Sequence, residues 1–198
     1  MKAIWSALFT AVACATTSFA GNSLPGTFDI FSYNPTESTT TKLDFVQIFA
    51  IIDDSFYVLS TAPQTVDWQG LTLSAGIIKT IPPPGYLGPV ESIGAVYASP
   101  DDYPTTTPGP FPTWANQPEA TTSSELWTAA DNGDGNSILS LSGSSDLFSL
   151  CASYFNGGLA LTAVVFNANY SSYEERSETY NGATCVPVTL LAIARASD

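Results

Sequence analysis

The chain has 198 residues, 44% of them hydrophobic and 12% aromatic, which is enough apolar material for one buried core and too much for wholesale disorder. Its 18 Asp and Glu stand against 5 Lys and Arg, and the formal net charge of -13 argues against nucleic-acid and anionic-membrane partners, whose phosphates it would repel. Histidine is absent, which removes the imidazole that serine, cysteine and metal hydrolases usually recruit and leaves carboxylate chemistry or none.

Residues 1–20 read as a secretory leader. Met1 and Lys2 make a positive start, Ala3 to Ala15 an apolar run, and Ser18 and Ala20 supply the small residues of a cleavage site before Gly21. The apolar run is short for a bilayer span, and the chain turns polar at "GNSLPG". Cleavage removes Cys14 and leaves Cys151 and Cys185, which in an oxidising compartment predict one structural disulfide; a free thiol pair or an intermolecular link is the alternative. Lys42, Lys79, Arg176 and Arg195 become the only basic side chains. The far end, "LLAIARASD", lacks the apolar tail of a glycolipid anchor, so attachment by lipid is not expected.

Along residues 21–198 strand signals dominate and helical periodicity is nearly missing, so a single all-β domain is expected. "TFDIFSY" opens it. "KLDFVQIFAII" places Leu43, Phe45, Phe49 and Ile51 on one face and Val46, Ile48, Ala50 and Ile52 on the other, which predicts a strand covered on both sides and central in its sheet. With the turn at Asp53, Asp54 and Ser55 and the return "FYVLST", residues 43–60 form a hairpin. "LTLSAGIIKT" continues the sheet until Pro82, Pro83 and Pro84 stop it, and "SIGAVYAS" restarts it. Residues 99–124, rich in Pro and Thr, read as a long surface loop inserted in the domain, with Thr105, Thr106 and Thr107 fitting O-linked sugar acceptors. Beyond it come "SELWTAADNGDGNSILSLSG", "DLFSLCASY" and "GLALTAVVF", then a polar segment, and "CVPVTLLAIA" as a final strand with Pro187 at an edge or bulge.

Four constellations bear on function. Asp131, Asn132, Asp134 and Asn136 alternate like a calcium loop, but Ser137 and Gly143 stand where an EF-hand needs Gly and Glu, so an Asx hairpin turn is the better reading. Asp53 with Asp54, Asp101 with Asp102, and Glu174, Glu175 and Glu178 are the acids available to pair for hydrolysis. Glutamic proteases, acidic sandwiches using Gln and Glu, are the nearest enzymatic comparison; Gln47 is present, and their motif is not. Trp68 and Trp127 are assigned to the core, while Trp114, between Pro112 and Pro118, is the first choice for an aromatic stacked on a sugar ligand. Asn169-Tyr170-Ser171 is a glycosylation sequon, and its polar setting predicts a surface position for Asn169.

The succession "FDIFSY", "KLDFVQIFAIIDDSFYVL", "ELWTAADNGDGNSILSLSG", "FSLCASY" and "TCVPVTLLA" resembles the small secreted fungal cell-wall proteins of the PhiA type. Trp127, Leu139 or Leu141, Cys151 and Cys185 are the matching positions; the Gly-Met-Gly segment of that family has no counterpart, because Met1 is the sole methionine. The resemblance implies a non-enzymatic protein of the fungal wall or extracellular space.

The expectation is therefore a secreted, disulfide-bonded domain, an antiparallel β-sandwich or distorted barrel, with no cofactor and no metal. A β-trefoil is the architectural alternative, suggested by the echo between "LTLSAG" and "LSLSG". The functional expectation is a wall or surface protein whose partner is wall polysaccharide. A carbohydrate-binding module or secreted effector is the second reading, and an acid hydrolase using a carboxylate pair the third.

Overall fold

Alternation of apolar and polar residues along most of the chain forces extended backbone, and extended backbone must pair to satisfy its N–H and C=O groups. The structure, a computed structural model, describes residues 21–51, 54–63, 66–86, 90–96, 111–115, 126–155, 159–170 and 179–195. Residues 1–20, including Cys14, and the polar segment 171–178 lie outside the described residues.

The first half contributes β1 (Phe28–Asn34), β2 (Thr39–Lys42), β3 (Asp44–Ile51), β4 (Asp54–Ser60), β5 (Leu71–Ser74), β6 (Ile77–Thr80) and β7 (Glu91–Val96). The second contributes β8 (Phe111–Ala115), β9 (Trp127–Asp131), β10 (Ser137–Leu141), β11 (Phe148–Phe155), β12 (Leu159–Phe166), β13 (Thr179–Tyr180), β14 (Val186–Pro187) and β15 (Thr189–Ala194). Among the described residues the one helical element is a 3-10 turn at Gly182–Thr184. All strand pairs are antiparallel and join in one sheet, ordered β13, β11, β12, β4, β8, β7, β6, β5, β1, β15, β10, β9, with β14 beside β11, β2 beside β1 and β3 beside β4. The sheet is not closed into a barrel and bends over itself as a sandwich.

Two cores result. The larger lies between the arms of the sheet and joins Phe28, Ile30, Leu190 and Trp127 from one arm to Phe45, Tyr57, Leu59, Trp114, Phe148 and Val164 from the other. The smaller lies on the opposite face of that second arm and gathers Ile48, Phe56, Val58, Phe111, Cys151, Phe155 and Val165. Along β4 the two sets alternate residue by residue, as the pleat requires. The Cys151–Cys185 disulfide forms here, closing a sequence separation of 34 residues. A loop of that length restricts the unfolded chain by about 3–4 kcal/mol in the chain-entropy account.

Several sequence expectations hold. The 43–60 hairpin is β3 with β4, and Trp68 and Trp127 are core residues. Four details differ. Residues 99–124 are not one loop: Phe111–Ala115 is a strand between β4 and β7, buried at every position. Pro112 lies one residue beyond the end of the β4 pairing, which stops at Val58 opposite Thr113, and on the other side stands opposite Ala95 of β7. The rest of that segment, with Thr105, Thr106 and Thr107, lies outside the described residues. Among described strands β3 pairs with β4 alone, so its two-sided burial comes from cores above and below and not from a central place in the sheet. A bulge between Gln47 and Phe49 also breaks its strict alternation. Finally, "CVPVTLLAIA" is two strands. β14 pairs with β11 and β15 with β1 and β10, and the chain changes arms at Val188, which is buried and donates its N–H to Phe148.

The trefoil echo has a local cause. "LTLSAG" and "LSLSG" each end a strand on a pair of positive-φ residues, Ala75 (51°) with Gly76 (80°) and Ser142 (52°) with Gly143 (79°). Both reverse the chain with the geometry of a tight two-residue hairpin turn, so the likeness records shared turn chemistry and not a repeat. Gly76 is constrained further, since a Cβ there would stand 2.9 Å from Leu126. Ala75→Gly is therefore expected to raise unfolding stability by about 0.5–1 kcal/mol by relieving the left-handed strain, and Gly76→Ala to lower it by at least about 1 kcal/mol. Denaturant melts of the two variants check the opposite signs.

Candidate functional site

The inward face of β1 changes character along its length. Phe28 and Ile30 enter the larger core, but the next two inward positions are Ser32 and Asn34, and across the hairpin they face Thr41 and Thr39 of β2. The opposing arm changes in the same direction. Phe148 opposite Phe166 and Leu150 opposite Val164 are apolar, and the following pair is Ala152 opposite Thr162. Small and polar residues cannot fill the spacing that Phe and Leu maintain between packed sheets, so the arms part there.

The gap is a cleft of about 300 Å³. One wall is the β1–β2 hairpin, with Ser32, Asn34, Glu37, Thr39 and Thr41; the other presents Leu150, Ala152, Thr162, Thr184, Val186 and Val188. That volume is at the lower end of small-ligand sites, roughly 300–1,000 Å³. The second wall is held from behind, because Cys151 and Cys185 alternate with or flank its residues, and the Thr184 hydroxyl accepts from Ala152 N at 2.9 Å while donating to Asn181 O at 2.7 Å. Ser32 Oγ donates to Thr41 O at 3.4 Å. Asn34 Oδ1 accepts from Thr36 N at 2.9 Å and Glu37 N at 3.3 Å, which fixes the hairpin tip and sets Glu37 at the rim.

Among the described residues, none of those singled out from sequence lines this cleft. Trp114 is wholly buried at 0% exposure, in edge contact with Phe45 and stacked on Trp127, so it is a core side chain and not a ligand platform; its flanking prolines misrepresent a strand interior as a loop. Its indole Nε1 finds no acceptor among the described residues, and the same holds for Trp68 and Trp127. Asn169 is exposed, with its backbone N–H donated to the Tyr180 hydroxyl at 2.7 Å. Asp53, Asp101, Asp102, Glu174, Glu175 and Glu178 lie outside the described residues. Gln47 donates to Ser55 Oγ at 3.0 Å. The 131–136 cluster is an Asx turn: Asp131 Oδ1 accepts from Gly133 N at 2.8 Å, and Asn132 Oδ1 from Asp134 N at 3.0 Å. Among the described residues no group of three or more Cys, Asp or Glu is placed to hold a metal ion.

Charge is arranged with little cation to spare. Lys42 lies 3.7 Å from both Asp29 and Asp44, Arg195 Nε lies 3.4 Å from Asp29, and Lys79 pairs with Glu91. Partly exposed pairs of this kind add little stability, but they leave the acidic surface largely uncompensated.

A second polar feature reaches the surface through the core. The buried Tyr57 hydroxyl meets that of Tyr86 at 3.0 Å, and Trp68 packs edge-on against both rings. Burial first, then the Tyr86 hydroxyl, push the Tyr57 phenol up from 10.0 to about 12, with Ser55 acting the other way.

Compared with known proteins, the chain matches no family model, no curated protein and no solved structure.

Two outcomes are expected from these positions. Trp114→Ala should cost about 3–5 kcal/mol of folding stability, the range for emptying a buried aromatic site, as read from denaturant midpoints. Because the raised phenol is favoured neutral in the fold, its contribution is complete below pH 10.0 and is lost as the pH rises toward about 12. Phenolate absorbance should therefore show a late-ionising component that Tyr57→Phe abolishes.

Proposed function

We propose that this chain is a secreted, non-catalytic protein of the cell wall or cell surface, of the fungal PhiA type that its strand and cysteine order resembles. The observation that carries this reading is the Cys151–Cys185 disulfide, because the two cysteines that follow the leader-like segment are the two that pair. A disulfide is compatible with an extracellular protein, where oxidising conditions preserve it. Among the described residues no helix is long and apolar enough to cross a membrane, and the leader supplies the route of export. Asn169, exposed on the surface, is the glycan acceptor in this reading. Retention at the wall is by contact with polysaccharide, and the acidic surface favours neutral glycans over anionic ones.

Fractionation of the producing cells tests the proposal. The expected result is a wall-bound pool beginning at Gly21, carrying an N-glycan removed by amidase and migrating faster without reductant than with it. A protein found wholly in the culture fluid, or retained inside the cell with residues 1–20 attached, overturns it.

A further inference from the structure

We infer that the cleft at the mouth of the larger core is a binding site for a neutral, polyhydroxylated ligand, a short run of sugar residues within a polysaccharide. The inference deepens the wall reading, on which it rests for the source of that polysaccharide, by naming the surface that makes the contact.

Three observations converge. First, hydrogen-bonding capacity is left over. The Thr39, Thr41 and Thr162 hydroxyls and the Asn34 side-chain NH2 have no intramolecular partner among the described residues, and they border one cavity from opposing walls. Hydroxyl groups that both donate and accept, with one amide donor and one carboxylate acceptor, match the mixed donors and acceptors of a sugar ring. Second, the wall beneath is apolar. Leu150 and Val186 lie along the same cleft, and Val186 is 40% exposed, which gives the C–H face of a pyranose a surface to cover without an aromatic. Third, the electrostatics select against charge. Among the described lining residues Glu37 is the single ionisable group and no cation accompanies it, and the whole chain carries -13, so an anionic ligand is repelled while Glu37 accepts from neutral hydroxyls.

Both walls are held before any ligand arrives. The Asn34 turn sets the hairpin tip, and the disulfide with the Thr184 hydrogen bonds sets the strand edge opposite. Binding then orders few groups, which is what lets a shallow polar cleft retain affinity.

The test uses the chain from Gly21 onward with its disulfide intact, titrated with laminarihexaose, mannohexaose and chitohexaose while backbone amide resonances are followed, and with a galacturonate hexamer as the anionic control. At least one neutral hexamer is expected to shift amides within residues 32–41 and 150–162, and the galacturonate hexamer to leave them in place. Thr41→Val combined with Thr162→Val, isosteric changes at exposed strand positions, should weaken binding by about tenfold or more at an unchanged unfolding midpoint. Glu37→Gln, at a turn and outside both strands, should weaken it by less, because the amide still accepts. Absence of shifts with every neutral hexamer, affinity unaltered in both variants, or equal binding of the galacturonate hexamer overturns the inference. A wall-bound protein whose cleft ignores all neutral hexamers overturns the cleft alone, and a wholly soluble protein whose cleft binds one overturns the wall reading alone.

Discussion

Burial on both faces of the β3, β4, β8, β11 and β12 arm governs the rest of the molecule. Phe56 and Val58 point one way from β4, Tyr57 and Leu59 the other, and neither set tolerates water. A sheet arm of this kind needs cover above and below. The remaining arm, with β1, β15, β10 and β9, bends over to supply one side. On the other side the cover includes Ala168, Tyr180 and Cys185, a thinner layer drawn from short segments. The disulfide belongs to that thinner side, where two-residue strands such as β13 and β14 offer few hydrogen bonds of their own and a covalent link limits fraying.

The crossing at Val188 joins these two jobs. Immediately before it the chain belongs to the covered arm, through β14 and the disulfide; immediately after it, β15 fills the middle of the covering arm between β1 and β10. The two arms are thereby tied at one edge of the cleft. Moving outward from the core, the inward residues shrink and become polar on both arms together, at Ser32 and Asn34 on one and Ala152 and Thr162 on the other. A coordinated change on two separate strands opens a cavity, whereas a change on one would have been filled by its neighbour.

Much of this was readable residue by residue. Leu43 to Ser60 announced a hairpin, Asp131 to Asn136 an Asx turn, and two cysteines an intrachain bridge. Where the structure departs from the sequence pattern, long-range contacts override local composition. Phe111–Ala115 looked like loop because Pro and Thr surround it, and it is instead a wholly buried strand. The same surroundings give Trp114, a core side chain, the look of a surface aromatic. The cleft left a trace, since the alternation of "FDIFSYN" loses its apolar member after Ile30, yet a polar residue at the end of a strand usually means that the strand has reached solvent. Only the parallel change at Thr162 gives it meaning, and that residue is more than a hundred positions away.

By itself the sequence determined the class of structure, the 43–60 hairpin, the tight turns and the acidic character, because each depends on period, local turn chemistry or composition. Tertiary structure alone decided which arm covers which, where β8 and β15 insert, that Trp114 is core, and that polar residues from distant strands share one cleft. Those outcomes depend on contacts between segments far apart in the chain, and no local pattern encodes the distance at which two packed sheets part.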